Sequence, residues 1–213
     1  SETNGDVYCS AAGQSTNTGT SAGSPKNSLQ QIIDGFVLTG GDTVYVDTGL
    51  HTNIGYGFAY DSGTATSNLI IQGSTNYNSG GTVFDRGDST QDVIYVKGSY
   101  ISLRDLTLKG GRHGMYAGFA YNISVYKVRF LGNAECGIWD GASSAWILDN
   151  CLFANNARGA AVITSDWAFN NCQFFNNNAH LFMRAALPVT NRNCVFMGGM
   201  SYGGAAEGRG MGD

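Results

Sequence analysis

Few side chains in this sequence are equipped for acid–base work. The basic candidates are Arg104, Arg112 and His113, and the carboxylate candidate is Asp149. Abstracting a proton needs a positioned base. Glycosidic hydrolysis needs two carboxyl groups at a set separation. The chain holds no Asp-Asp pair and no Gly-His-Gly. Gly111-Arg-His-Gly114 comes near the second pattern but lacks carboxylate partners at a matching place, so its plainest reading is a solvated turn, with a site as the alternative. Asp85-Arg-Gly-Asp88 reads as a charged turn, and Asp140 and Asp166 as turn caps. A different chemistry is suggested by Tyr95, Tyr116, Trp139 and Phe182, aromatic residues recurring at near-equal intervals with Ala161 filling the one gap. Flat rings in a file can stack on sugar rings or bury against another protein surface.

Those intervals come from a repeat. Ile101–Leu108, Ile123–Phe130, Trp146–Phe153, Trp167–Phe174 and Val189–Phe196 are copies of one unit whose starts lie 22, 23, 21 and 22 residues apart. Alternating apolar positions at such a period, with turn residues between, mark a β-solenoid. Each coil from Asp92 onward reads as three short strands, the third being Ile94–Val96, Met115–Ala117, Ile138–Asp140, Ala160–Val162 and Leu181–Met183. Equivalent residues then stack in columns. Cys151, Cys172 and Cys194 form a thiol file, Phe130, Phe153, Phe174 and Phe196 an internal aromatic stack, and Asn133, Asn155 and Asn176 an asparagine ladder at the turn before the third strand. In the third strand the middle residue points outward, so the aromatic file becomes a stripe of roughly 20 Å at about 4.8 Å per rung. An exposed stripe marks a binding surface or an interface, unless a loop covers it.

Upstream, Ser28-Leu-Gln-Gln31 has capping-box spacing. Leu29, Ile32, Ile33 and Phe36 follow at helical intervals, Gly40-Gly41 stops the helix, and Asp42–Val46 alternates as a strand. A helix here covers the open end of a solenoid, with its unpaired edges and apolar core. Val7-Tyr8-Cys9 is a further short strand. The coils from His51 to Thr90 are irregular, with loops at 62–67 and 73–81 around Leu69–Ile71. Gly57–Tyr60 and Gly118–Tyr121, both Gly-Phe-Ala-Tyr, read as links into the next coil. After Phe196 the pattern fades into a Gly-rich tail. The chain is therefore expected to be one domain: 1–41 as strand, loop and capping helix, 42–197 as coils, and 198–213 as tail.

Ser28 to Asn53, with its helix and Gly-Asp-Thr-Val strand, resembles the entry segment of the pectate-lyase-like right-handed parallel β-helix family. The asparagine ladder resembles that family's too. The likeness implies an all-β, right-handed parallel β-helix with a short N-terminal capping helix, and the handedness comes from the likeness alone. It also implies an extracellular lyase or hydrolase acting on polysaccharide. The family's calcium sites need several carboxylates on the outer face of adjacent coils, because the ion takes six to eight oxygens. Here the outward positions of the first strands are Ser102 and Arg104, Ser124 and Tyr126, Ile147 and Asp149, Ala168 and Asn170, Thr190 and Arg192, a set with one carboxylate. The catalytic pattern does not carry over, and no cofactor is expected.

Composition bounds the rest. Charged residues make up 13%, Gly 31 of 213 and Pro 2, a turn-rich β composition. A net charge of −4 argues against a nucleic-acid partner, and no apolar run is long enough to span a bilayer. The first reading is a non-catalytic extracellular or cell-surface unit, structural or adhesive, assembling with itself. The alternative is a lyase, hydrolase or carbohydrate-binding module working on an extracellular, acidic glycan.

Overall fold

The computed structural model describes residues 5–52, 56–58, 61–164, 166–183 and 189–204. Three parallel sheets run the length of a solenoid, one of eight strands and two of seven. Each coil contributes one strand to each sheet. The repeat copies fall in register: Trp146 pairs with Trp167 and Trp167 with Val189 in the first sheet, while Phe130, Phe153, Phe174 and Phe196 follow one another in the second. The Phe rings are parallel at 4.7–4.8 Å, and Trp146 lies on Trp167 at 4.5 Å. Rung spacing matches the centroid separation of offset-stacked rings, so like residues pack on one another through the core. Gly114, Gly137 and Gly159 occur where they do for the same reason: a Cβ there would come within 2.8–2.9 Å of the Phe ring of the next coil.

The thiols of Cys151, Cys172 and Cys194 stand in one file beside the stack. The Gln173 amide donates to the Cys151 carbonyl, and each Sγ points at a carbonyl of the preceding coil, Val125, Leu148 and Phe169 in turn. All five cysteines are free thiols.

Two further columns explain the turns. Asp105, Lys127, Asn150, Asn171 and Asn193 all take φ of 52–55°, and Gly110, Gly132, Asn155, Asn176 and Gly198 take 50–69°. The left-handed region is open mainly to Gly and Asn. This moves the expected asparagine ladder by one residue. Asn155 and Asn176 serve backbone geometry, and the buried ladder is Asn133, Asn156 and Asn177. Gly111 N–H donates to Asn133 Oδ1 at 3.2 Å, Asn133 Nδ2 to Asn156 Oδ1 at 3.0 Å, and Asn156 Nδ2 to Asn177 Oδ1 at 3.0 Å. His180 ends the ladder, its Nδ1 lying 3.2 Å from Asn177 Nδ2.

At the other end, Ser28 caps the helix Leu29–Gly35 by accepting the Gln31 amide. Leu29 and Ile32 are buried beneath the first coils. Val7–Cys9 pairs with Thr43–Val46 and so begins the first sheet.

Four expectations change. The stretch at 51–90 is an ordinary coil: Leu69–Gln72, Thr82–Asp88 and Ile94–Val96 are its three strands, and a longer turn at 73–81 hides the period. Asp85 to Asp88 therefore end a strand, with Asp85 3.0 Å from Lys109 Nζ. Gly57 lies in the strand Tyr56–Phe58 opposite Tyr95, whereas Gly118 follows the strand His113–Ala117, so the two Gly-Phe-Ala-Tyr runs are not equivalent; Ala59 and Tyr60 lie outside the described residues. Beyond Phe196 the chain adds a strand, Met200–Gly204, on Ala179–Met183. Backbone groups alone make that ladder, so a Gly-rich segment joins it without any alternating pattern. Of the expected tail, 205–213 lies outside the described residues.

Candidate functional site

The first sheet turns outward exactly the alternate residues that its strands' period of two requires, and register sets them in a file: Tyr8, Tyr45, Gln72, Arg104, Tyr126, Asp149, Asn170 and Arg192. Toward the helix-capped end, this face sinks into a groove of about 660 Å³, lined among others by Tyr8, Tyr45, Asp47, Gln72, Arg104 and Asp105. The Tyr8 and Tyr45 rings stack at 5.3 Å and form an aromatic floor. Arg104 is steadied by its Nε, which donates to Ser102 Oγ at 2.9 Å. Among the described residues, no carboxylate lies within ion-pair distance of it.

The groove's carboxylates are already engaged. Asp105 accepts Gln72 Nε2 at 2.9 Å and the Tyr77 hydroxyl in a short hydrogen bond. Burial, then the neighbouring Asp105 carboxylate, pushes the Tyr77 hydroxyl above its ordinary range, which keeps the phenol protonated. Asp47 accepts the Thr48 amide at 2.7 Å and the Ser10 hydroxyl at 3.4 Å. No group of three or more His, Cys, Asp or Glu residues is placed to hold a metal ion among the described residues.

Asp149 stands two rungs from Arg104, about 10 Å at the usual rung spacing, and accepts Asn171 Nδ2 at 2.9 Å. The two first-sheet candidates thus do not share a site.

Arg112 and His113 belong to another face. His113 is not in a solvated turn. It opens the strand His113–Ala117 and is 3% exposed, with Cys136 opposite it in the next coil and the Trp139 and Tyr116 rings at 5.5 and 5.9 Å. Its Nδ1 lies 2.8 Å from Asp92 Oδ1, and its Nε2 lies 3.3 Å from the half-exposed Glu135 Oε2 without a hydrogen bond. The same Asp92 accepts Arg112 Nε at 3.1 Å and Nη2 at 3.2 Å, a two-point pair. Burial pushes the Asp92 carboxyl up, but hydrogen bonds from His113 and Arg112 outweigh it and hold it below the ordinary range.

The predicted aromatic file is one column of the third sheet. Tyr95 pairs with Tyr116, Tyr116 with Trp139, Trp139 with Ala161 and Ala161 with Phe182. All four rings are half-buried and Ala161 is fully buried. Tyr95 and Tyr116 sit 5.2 Å apart, and His113 stacks on Trp139 at 5.5 Å. Lys97 Nζ lies 5.3 Å from the Tyr95 ring, and the Arg158 guanidinium 4.7 Å from Phe182.

The sequence pattern missed Tyr8, Tyr45, Gln72 and Asp105, which reach the groove from distant coils. The alternation of Val7–Cys9 and Thr43–Val46 is the signal that carries the first two. It also missed Asp92, one period before His113.

The model of the right-handed β-helix region matches residues 26–211. The chain belongs to the right-handed β-helix family. Solved structures agree on the fold of this β-helix. A rhamnogalacturonan lyase superposes with a TM-score of 0.72 at 16% identity, covering 97% of this chain and 63% of that one. The pectate lyase Pel9A gives 0.73 at 19% identity, covering 92% and 55%. An alginate lyase from Paenibacillus sp. str. FPU-7 gives 0.60 at 16%, covering 93% and 69%. Identities at this level show a shared fold. This chain spans less than two thirds of the first two lyases' lengths. No curated protein matches it. None of the β-helix's described helices is long and apolar enough to cross a membrane.

Proposed function

We infer that this β-helix is an extracellular protein that binds acidic polysaccharide along the outward face of its eight-stranded sheet. The observation that carries the reading is the groove, which sets Arg104, free of a carboxylate partner among the described residues, beside a stacked tyrosine floor. A sugar ring has apolar C–H faces that lie on aromatic rings and hydroxyls that need polar partners such as Gln72. A uronate adds a carboxylate, which a guanidinium fork binds at two points. Arg104 is half-buried, so its charge is less screened than on an open surface. The fold likeness to lyases whose names specify rhamnogalacturonan, pectate and alginate points to the same ligand class.

A second reading, cleavage by elimination in this groove, is favoured by Asp105 at its wall, which holds the Tyr77 hydroxyl. A protonated phenol held on a carboxylate can deliver a proton to a leaving oxygen. Against it, the groove offers one cation and no metal cluster among the described residues.

Native gels cast with polygalacturonate, alginate or a neutral glucan test the binding reading. Retardation is expected in the two acidic gels and should be weakened in Arg104→Ala and Tyr45→Ala. Equal mobility in every gel refutes it. Release of unsaturated uronate ends, abolished in Tyr77→Phe, would establish cleavage. A stable rise in particle size without glycan would instead support the structural or adhesive reading.

A further inference from the structure

The third sheet bears a second hollow of about 620 Å³, lined by Glu135, Arg158, Asn178, Phe182 and Met200 among others. It continues the aromatic file toward the last described coils. We propose that this face is a second glycan-binding surface, taking an acidic polysaccharide chain laid along the solenoid axis, with Tyr116, Trp139 and Phe182 as stacking platforms and Lys97 and Arg158 as partners of its anionic groups. The proposal draws on the groove reading only for the choice of polymer.

Three observations carry it. First, the cations beside the rings have no carboxylate partner: neither Lys97 nor Arg158 has a carboxylate within ion-pair distance among the described residues, and each lies against a ring of the file. Asp92, by contrast, is neutralised by Arg112 and His113. Among the described residues, the file keeps Lys97 at one end and Arg158 at the other, with Glu135, 3.3 Å from His113, lining the same hollow as Arg158.

Second, the apolar surface is one residue wide and follows the axis. A stable protein–protein contact needs roughly 800 Å² from each partner with an apolar, charge-depleted centre. Pressing a second copy onto this file would take the charges of Lys97 and Arg158 out of water, which costs several kcal/mol per ion unless the other copy pairs them. A hydrated glycan leaves those groups bonded to hydroxyls, carboxylates and water.

Third, the rings are pre-set. Trp139 is held from beneath by His113, whose own ring is fixed by Asp92. Little side-chain freedom remains to be lost on binding.

Tryptophan emission tests the proposal directly. Of the 3 tryptophans, Trp146 and Trp167 are 0–1% exposed and stacked on each other in the core, so Trp139 alone can respond to a ligand on the surface. Adding polygalacturonate or alginate should shift and quench the emission, in a manner weakened by salt. Trp139→Phe should abolish the response. Arg158→Ala should weaken it about tenfold, the worth of one charge-assisted hydrogen bond, and Arg158→Lys should restore part of it. Matching melting temperatures would show that the variants fold. Arg104→Ala should leave the response intact, which separates this face from the groove. Polymer that retards the protein in gels yet leaves Trp139 silent overturns the second site and spares the groove. An emission change that follows protein concentration without polymer also overturns it, because the face would then meet another copy.

Discussion

Asn155 and Asn156 are adjacent, chemically identical and predicted to behave in opposite ways. Asn156 lies in the buried ladder. Its Oδ1 accepts the Asn133 amide at 2.9 Å and Asn133 Nδ2 at 3.0 Å, and its Nδ2 donates to the Phe130 carbonyl at 3.0 Å and to Asn177 Oδ1 at 3.0 Å. Asn156→Ala strips the Asn133 N–H of its partner and removes one bond each from three other buried groups. An orphaned buried donor costs about 1–3 kcal/mol and each further lost bond about 1 kcal/mol, so the loss is about 4–6 kcal/mol. That is a large share of the 5–15 kcal/mol typical of a whole domain. Asn155 makes no such bonds; its φ of 58° is the demand on it. Asn155→Ala should cost about 1–2 kcal/mol, and Asn155→Gly should be neutral or slightly stabilising. Urea unfolding, followed by emission of the buried Trp146–Trp167 pair and by circular dichroism, gives the three midpoints. Coils couple mainly to their neighbours, so the two probes also report whether the chain melts as one unit. Comparable losses for Asn155→Ala and Asn156→Ala would refute the ladder as described.

Two other outcomes follow from burial. Burial lowers the pKa of His180 and of His51 from the ordinary 6.5, in His51 against an opposing hydrogen bond and charge from Asp47. A group with a depressed folded pKa binds protons more readily when unfolded. Stability should therefore decline as pH falls below about 6.5, and a urea midpoint as high at pH 5 as at pH 7.5 would contradict this; His180→Gln should flatten the slope. Among thiols, burial pushes Cys9 and Cys136 up to about 12, and only Cys194 of the five is partly exposed. An aromatic disulfide reagent should label Cys194 in the native protein and all five thiols in urea; native labelling of Cys9 or Cys136 at the Cys194 rate would contradict the packing.

Local pattern carried the architecture because a solenoid writes its tertiary contacts into its period. Trp146 meets Trp167 through a spacing of one repeat, so counting along the chain already says which side chains touch. The thiol file, the Phe stack, the helix cap at Ser28 and the outward faces of the first and third strands were legible in that way, except that Ser102, expected outward, is fully buried. The asparagine ladder was legible only to within one residue, since two neighbouring turn positions, one asking for a left-handed backbone and the other for a carboxamide, both favour Asn. Irregular turns defeat the count altogether. The long loop at 73–81 hid a coil, and the strand Met200–Gly204 has no side-chain alternation to reveal it.

The candidate sites depended on folding to a greater degree. Nothing in the order of residues says that Tyr8 and Tyr45 share a floor with Arg104, because the intervening coils have unequal lengths and only strand pairing fixes their register. Asp92, Arg112, His113 and Glu135 likewise become one cluster through stacking, which turned an apparent surface histidine into a buried support for Trp139. The period dictated which residues pile up; the turns between periods, whose lengths obey no rule, decided which piles stand side by side.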